Sequence, residues 1–267
     1  MFTFRGFTFL FFILLLTLNL TVLFSDQEVR DVVVPEAARM YSVLIAGYLG
    51  ISVAMAFLPC SGFHHPVTCT GSGHEAEVAL TFDDGPDPSC TPQILEILER
   101  NSIRAAFFCT GIKLKENPEL AARIHSLGHL IGNHSYSHSP WFDLFPARRM
   151  QRELADTNAQ IRSLTGLNPR FFRPPFGVVN PMVNKALRKT TMLAVCWSIR
   201  SFDTLGHEPA STLERITRRL RPGSIILLHD HSRFSAEKLQ ELITEIRKSG
   251  YTIVPLDHLL NTQAYEA

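Results

Sequence analysis

The sequence predicts an α/β fold of parallel strands and helices, preceded by one or two apolar helices long enough to cross a membrane. Three observations support this prediction. Short apolar runs alternate with amphipathic segments from residue 75 onward, two uncharged stretches lie before residue 60, and polar residues follow several of the apolar runs. Such alternation is typical of parallel β/α units.

The two uncharged stretches lie at residues 6–25 and 40–59. Each has about the ~20 residues that a membrane-spanning helix needs. The first is long for a signal peptide and is followed by no small-x-small cleavage site, so we expect an uncleaved anchor. Gly47 and Gly50 in the second suit helix packing in a membrane. A hydrophobic helix docked on the soluble domain is the alternative for this second stretch.

The sequence predicts three parts: a membrane anchor at residues 1–59, a linker at 60–74 that is rich in Gly, Ser and Thr, and a soluble domain at 75–267. Arg30 and Arg39 lie between the apolar stretches, and only Arg5 lies before them. If both stretches span, this distribution favours an extracytoplasmic soluble domain. Cys60 and Cys69 could pair in an oxidising compartment, but the sequence leaves their state open.

Seven apolar runs in the soluble region predict strands, and their near-continuous apolar character suits a sheet covered on both faces. They occupy residues 77–82, 105–110, 129–134, 170–175, 193–198, 224–229 and 251–256. Amphipathic segments between them predict six helices, at residues 91–101, 117–128, 146–166, 180–190, 209–220 and 235–250. Several of these segments end in Gly, as helix C-termini often do. Closure of the sheet into a barrel and an open doubly wound sheet both fit this pattern.

The charge balance excludes some partners. The chain carries 26 basic and 25 acidic side chains, a formal net charge of +1, and no basic tract. Nothing in this composition suggests a nucleic-acid partner.

Unusual polar residues follow the strand ends. These residues are Asp83, Asp84, His134, Arg173, Asp203 and His229. The carboxyl ends of parallel strands converge on one face of a β/α fold, where active sites lie. We therefore expect these side chains to form one site.

The strand-end residues include a candidate metal site. His134 and His138 are four residues apart, and a carboxylate from another strand end would complete a two-His, one-carboxylate site with open positions. A divalent cation would offset the repulsion between Asp83 and Asp84 and lower the pKa of a water molecule towards ~7. The alternatives are an Asp-Gly turn at Asp84 and a chance pair of histidines.

Five motifs occur in order: TFDDGP, HSYSH, RPPFG, WSIRSFDT and IILLHD. They resemble the motifs of the polysaccharide deacetylases, the NodB-homology or carbohydrate esterase family 4 proteins. The resemblance covers roughly residues 75–260, and the first two motifs are its most specific part. It implies a distorted (β/α)7 barrel of the NodB-homology type for the predicted soluble domain.

The resemblance also implies a role for each matching residue. Asp83 matches the general base, and Arg173 matches the arginine that holds it. His229 matches the general acid, and Asp203 matches the aspartate that pairs with it. The metal ligands match Asp84, His134 and His138, with zinc the usual ion and cobalt or nickel the others.

The implied substrate-binding residues are less specific. Leu227 matches the apolar wall around the acetyl methyl group. Phe176 stands at the position where the family usually has a Tyr, whose backbone N–H serves the oxyanion hole. Arg200 stands where an acid is common, and Thr204 where a Trp is common, so substrate size and affinity are expected to differ from the family pattern. Trp141 could line a sugar cleft, with a surface or packing role as the alternative.

Four other histidines and one tryptophan are expected outside the site. We expect the histidines to face solvent or to lie in the linker; these are His64, His65, His207 and His231. Trp197 lies within a strand-like run and is expected in the core.

The implied activity is metal-dependent hydrolysis of N-acetyl groups on amino sugars of a cell-envelope or extracellular polysaccharide. An Asp base, a His acid and water activated at the metal would carry the reaction. The enzymatic alternatives are an O-acetyl esterase acting on a glycan and a deacetylase or deformylase acting on a lipid-linked sugar. The non-enzymatic alternative is a carbohydrate-binding protein, which would need neither the base nor the acid.

Overall fold

The structure is a computed structural model that describes residues 3–205 and 208–266, without the side chains of residues 27–33 and 35. His207 and the side chain of Arg30 therefore lie outside the described part of the chain. The N-terminal part forms a helical hairpin of α1 (Phe4–Leu23) and α2 (Gln27–Ala56). Phe4–Leu23 and Glu36–Ala56 are long and apolar enough to cross a membrane. The backbone of residues 27–39, which lie between the two uncharged stretches, is helical.

Within the described residues, the soluble region contains eight short strands. They are β1 (Glu77–Asp83), β2 (Ala106–Cys109), β3 (Leu130–Asn133), β4 (Phe171–Phe172), β5 (Leu193–Ala194), β6 (Ile199–Arg200), β7 (Ser224–His229) and β8 (Thr252–Ile253). All pair in parallel, in the order β5-β4-β3-β2-β1-β7-β6, with β8 against the start of β1. The predicted α/β class and parallel sheet are confirmed, and β6 is a strand that the sequence pattern did not predict.

The helices that follow these strands cover the outside of the sheet. They are α3 (Thr91–Arg100), α4 (Gly111–Glu116), α5 (Pro118–Ser126), α6 (Ala147–Thr165), α7 (Pro181–Leu187), α8 (Pro209–Thr217), α9 (Arg233–Lys248) and α10 (Leu256–Leu259). All six predicted helices are present, and α4 and α10 are additional. Gly166 ends α6 at a φ of 75°, a left-handed conformation that glycine adopts without a Cβ penalty.

Strand alternation sorts each side chain to one face of the sheet. On β1, Val78, Leu80 and Phe82 point outward into the core beneath the helices. Ala79 points inward and packs in a second cluster with residues such as Phe108. Because successive strand side chains alternate faces, Thr81 and Asp83 share the inward face with Ala79. The inward face at the carboxyl end of β1 is therefore polar.

Residues 60–74 pack against the domain. A disulfide joins Cys60 to Cys69. The Thr68 N–H donates to the carbonyl of Ala194 (2.9 Å), and the Gly71 N–H donates to that of Gly223 (2.8 Å). The predicted boundaries of anchor, linker and domain stay a prediction.

The helical hairpin contacts the domain at its open end. The Phe4 N–H donates to the carbonyl of Phe63 (2.8 Å), at the start of α1. The Val179 N–H donates to the carbonyl of Ala56 (2.9 Å), at the end of α2. Both helix ends that lie next to the domain are therefore held by backbone hydrogen bonds.

Candidate active site

The parallel register places the predicted base beside the predicted acid. Asp83 pairs with His229 across β1 and β7, and with Phe108 across β1 and β2. Neighbouring strands lie about 4.8 Å apart, so residues in register on one face are neighbours. The ladder extends past the strand ends, since the His134 N–H donates to the carbonyl of Cys109 (3.0 Å). The polar strand ends therefore meet, as their positions in the sequence predicted.

A left-handed residue turns the second carboxylate toward the same cleft. In a regular strand, Asp83 and Asp84 would point to opposite faces. Asp84 has a φ of 73°, an unusual value for a residue other than glycine. Both side chains line one cleft as a result. Such backbone strain, of order 1–3 kcal/mol, is concentrated at functional sites.

The loop that carries the two histidines is held by α6. Glu153 accepts hydrogen bonds from the backbone N–H groups of Tyr136 (3.0 Å) and Ser137 (2.7 Å). The His138 N–H donates to the Ser135 hydroxyl (3.1 Å). These bonds stabilise the tight loop in which His138 has a φ of 45°. The i, i+4 spacing thus works through a loop between β3 and the helices, and not through a helix.

Arg173 is fully buried and directs the predicted base. Its guanidinium donates to Asp83 Oδ1 (2.6 Å) and to the Thr81 hydroxyl (2.8 Å). It also donates to the carbonyls of Val195 (3.1 Å) and Cys196 (3.0 Å). These acceptors satisfy the buried cation and leave Asp83 Oδ2 facing His134 Nε2 at 3.8 Å.

Asp84, His134 and His138 form a compact group of possible metal ligands. Asp84 Oδ1 lies 3.3 Å from His134 Nε2 and 3.2 Å from His138 Nε2. The three ligand atoms lie within 4.8 Å of one another. These distances allow one ion to contact all three residues, in the two-His, one-carboxylate pattern.

Two features of the ligand atoms fit a cation. His134 Nδ1 lies 2.8 Å from the carbonyl oxygen of Arg173, so in the neutral ring that a cation requires, Nδ1 carries the proton and the Nε2 lone pair faces Asp84. Asp84 Oδ1 is buried and accepts no hydrogen bond of good geometry within the described residues. A lone pair and a buried carboxylate oxygen that face each other call for a shared positive charge.

The charges around Asp84 and His134 shift the pKa values of both side chains. Burial disfavours the ionised form of Asp84, but the hydrogen bond and charge of His134, with the charge of His138, outweigh it and hold the pKa of Asp84 well below its usual value. Burial likewise opposes protonation of His134, yet the adjacent carboxylates of Asp83 and Asp84 raise its pKa. Asp84 is thus a ready anionic ligand near neutral pH.

His229 and Asp203 form a second charged pair across the cleft. Asp203 Oδ1 lies 2.8 Å from His229 Nδ1, and its Oδ2 accepts the His229 backbone N–H (3.0 Å). Burial works against the imidazolium, but the hydrogen bond and charge of Asp203 more than compensate and raise the pKa of His229. The same contacts outweigh burial and lower the pKa of Asp203. A histidine of this kind can donate a proton from Nε2.

The cleft between these groups has a volume of about 220 Å³. The two aspartates, the two loop histidines and His229 line it with Phe176, Trp197, Arg200, Thr204, Leu227 and His231. Phe176 and Leu227 therefore line the same cleft as the predicted base and acid, and their roles there stay predictions. Trp141 is 65% exposed and is not among the residues that line this cleft. Its contact with a sugar stays a prediction.

Two residues that line the cleft, His231 and Trp197, were not predicted as site residues. His231 is exposed, as expected, and it also lies at the cleft, with its Nδ1 3.9 Å from Asp84 Oδ2. Trp197, expected in the core, is half-buried and lines the cleft, with Arg200 5.7 Å from its ring centroid. The position of His231 could have been predicted from the sequence. His231 follows His229 by two residues at the end of β7, and alternation along a strand places such residues on the same face.

Asp230 supports the loop that carries Asp84. It is fully buried, accepts a hydrogen bond from the Thr91 hydroxyl (2.9 Å) and lies against Gly85. Burial raises its pKa to about 8. A side chain at Gly85 would overlap the Asp230 carboxylate, so this close approach requires glycine.

Comparison with known proteins identifies the class. A family model described as polysaccharide deacetylase matches residues 70–195. Peptidoglycan-N-acetylmuramic acid deacetylase PdaA of Bacillus subtilis is 34% identical over 194 residues, 71% of this chain and 73% of that protein. A similar solved structure is the crystal structure of the Bc1960 peptidoglycan N-acetylglucosamine deacetylase in complex with an N-hydroxybenzamide derivative. Its TM-score is 0.71, with 31% identity, and the match covers 75% of this chain and 95% of that one.

A third similar structure is that of BA3943, a carbohydrate esterase family 4 pseudoenzyme from Bacillus anthracis. Its TM-score is 0.69, with 30% identity over 73% of this chain and 69% of that one. Together with the matches above, this similarity shows that the chain belongs to the polysaccharide deacetylase family. The chain is a polysaccharide deacetylase with the distorted (β/α)7 barrel of that family, which confirms the predicted resemblance, fold class and enzyme class.

Proposed function

We propose that this deacetylase is a metal-dependent hydrolase that removes N-acetyl groups from amino sugars of the cell-envelope polysaccharide. One observation carries the proposal: base, acid and possible metal ligands line a single cleft. Relatives named as peptidoglycan N-acetylmuramic acid and N-acetylglucosamine deacetylases support peptidoglycan as the glycan.

Asp84, His134 and His138 would hold the divalent cation, with zinc the first choice and cobalt or nickel as alternatives. A cation held there would supply Lewis acidity, which acidifies water and polarises the acetyl carbonyl. The N-hydroxybenzamide bound by the Bc1960 enzyme supports a metal, because hydroxamates chelate metal ions.

The side chains around the ligands would move the protons. Asp83, held by Arg173, takes a proton from a water molecule as the oxygen of that water adds to the acetyl carbon. His229 then donates a proton to the sugar nitrogen as the C–N bond breaks, which gives acetate and a free amine. Leu227 lines the cleft and would contact the acetyl methyl group. The backbone N–H of Phe176, at the cleft edge, is the candidate oxyanion donor.

The paired acid favours an amide over an ester substrate. An amine is a poor leaving group unless it receives a proton, whereas an alcohol leaves more easily. Asp203 contacts His229 through both carboxylate oxygens and keeps it protonated to higher pH. We therefore assign N-deacetylation to this site ahead of O-deacetylation.

The experiment measures acetate release from peptidoglycan fragments and N-acetylglucosamine oligomers by the purified full chain, with a chelator as control. His134→Ala is expected to lose both metal and activity. Asp83→Asn is expected to keep the metal and lose turnover, because it removes the base and leaves the ligands. His258→Ala, a largely exposed histidine on α10, is the matched control and should behave as wild type. Full metal content in His134→Ala would overturn the ligand assignment, and normal turnover in Asp83→Asn would overturn the base.

We further propose that α1 and α2 span the membrane and that the domain lies outside the cytoplasm. Their apolar length supports spanning, and the Cys60–Cys69 disulfide supports an oxidising compartment. A C-terminal alkaline phosphatase fusion should be active, and a fusion at residue 33 should be inactive if both helices span. An inactive C-terminal fusion, with an active cytoplasmic reporter at the same point, would place the domain inside and shift the substrate toward lipid-linked precursors.

A further inference from the structure

A second, larger cleft lies where the helical hairpin joins the domain. This junction cleft, of about 590 Å³, is formed by three parts of the chain: residues 3–5 at the start of α1, residues 62–66, and residues 181–188 on and after α7. It is separate from the catalytic cleft, with which it shares no lining residue. Neither the mechanism nor the family resemblance accounts for it.

The junction cleft is basic. Arg5, Lys185 and Arg188 line it, and no acidic side chain lines it among the described residues. In the described part of the chain, none of these three side chains forms an ion pair. His65, on the same wall, is engaged with the Asn184 side chain (3.1 Å). Three unpaired cations in one concave site attract an anion.

The walls of the cleft are partly apolar. The Phe4 ring packs against Phe63 with centroids 5.9 Å apart, and Met182 at the rim is 40% exposed. An anionic ligand with an apolar portion would match both kinds of surface.

The helix ends place the cleft at one boundary of the proposed membrane. Helix α1 has 20 residues and spans about 30 Å, the thickness of the hydrocarbon core. Arg5 is the second residue of α1, and Ala56 ends α2 beside Val179. If the hairpin spans, the junction cleft opens at the level of the lipid head groups on the side of the domain.

We propose that the junction cleft binds the phosphate head group of an anionic phospholipid. Arg5 contacts the phosphate from the anchor, Lys185 and Arg188 contact it from the domain, and the acyl chains continue along the exposed apolar side chains of α1. Basic residues at a membrane surface favour anionic lipids in this way. The inference rests on the proposed membrane anchoring. Soluble phosphate shares the head-group chemistry, but the apolar walls and the position at the helix ends favour a lipid.

The test reconstitutes the full chain in phosphatidylcholine bilayers that contain trace spin-labelled phosphatidylglycerol or spin-labelled phosphatidylcholine. Electron paramagnetic resonance then gives the fraction of each lipid immobilised by the protein. We expect a preference for phosphatidylglycerol of about fivefold or more, the size expected from even one basic residue near an anionic lipid surface. The triple variant Arg5→Gln, Lys185→Gln, Arg188→Gln should lose most of this preference.

A matched control removes three cations elsewhere. Arg218→Gln, Arg233→Gln and Lys248→Gln change exposed residues on and next to α8 and α9 and lower the net charge equally. This control should keep the wild-type preference, and both triple variants should keep deacetylase activity. Equal losses in the two triple variants would overturn the inference in favour of a general charge effect.

Two further outcomes separate the causes of failure. Loss of the wild-type preference in millimolar inorganic phosphate, at constant ionic strength, would assign the cleft to soluble phosphate and overturn a lipid ligand. Immobilised lipid without any head-group preference would overturn the junction cleft alone. No immobilised lipid of either kind would overturn the membrane anchor itself, and the inference with it.

Discussion

Replacement of Arg173 by Met would remove the guanidinium that donates a hydrogen bond to the buried Asp83 carboxylate. The two side chains are 0% and 4% exposed, and their closest atoms are 2.6 Å apart. Loss of one partner of a buried ion pair costs about 3–5 kcal/mol, because the other charge is left without compensation. For a domain of this size, that loss lowers Tm by about 6–20 °C.

The double variant Arg173→Met, Asp83→Asn provides the decisive comparison. Removal of both charges should restore at least about 1 kcal/mol of the stability lost by Arg173→Met alone, since the stranded carboxylate is gone. Activity should be lost in Arg173→Met, in Asp83→Asn and in the double variant. Arg218→Met, at a largely exposed arginine, is the matched control and should leave stability and activity unchanged.

Tryptophan fluorescence during thermal unfolding is a suitable assay. Trp197 is half-buried, with the Arg173 guanidinium 5.7 Å from its ring centroid, so its emission reports on this region. If the free energy of unfolding of Arg173→Met lies within about 1 kcal/mol of the wild-type value, the buried pair does not stabilise the domain as expected. If the double variant is less stable than Arg173→Met, the uncompensated Asp83 charge is not the cause of the lost stability.

Three further changes test other parts of the site. Asp203→Asn is expected to move the alkaline limb of the rate profile to lower pH, because loss of the carboxylate lowers the raised pKa of His229 and the acid loses its proton sooner; an unchanged limb would show that Asp203 does not tune the acid. Gly85→Ala should cost about 1–3 kcal/mol of stability, measured as Tm, because its Cβ would overlap the Asp230 carboxylate, and wild-type stability would contradict this packing. Arg200→Gln should slow deacetylation of glycans that carry a carboxylate more than of neutral ones, since Arg200 lines the cleft; an equal effect on both substrates would exclude charge recognition.

The fold class was accessible from the sequence because its signals are local. Apolar runs such as residues 224–229 and long amphipathic segments such as residues 146–166 each predict their own element. Strand β6 was missed because two residues are too few for a periodic pattern, and Ile199–Arg200 becomes a strand only by pairing with Ile226 and Leu227.

The sequence by itself determined which chemical groups lie at the strand ends, since Asp83, His134 and His229 each follow an apolar run that must be a buried strand. The direction of Asp84 was decided only by the tertiary structure, in which its left-handed φ lies next to the close packing of Gly85 against Asp230. The presence of His231 in the cleft and the pairing of Cys60 with Cys69 were decided in the same way. These features depend on contacts between segments that are distant along the chain or on the path of a loop, and neither leaves a periodic signal in the local sequence.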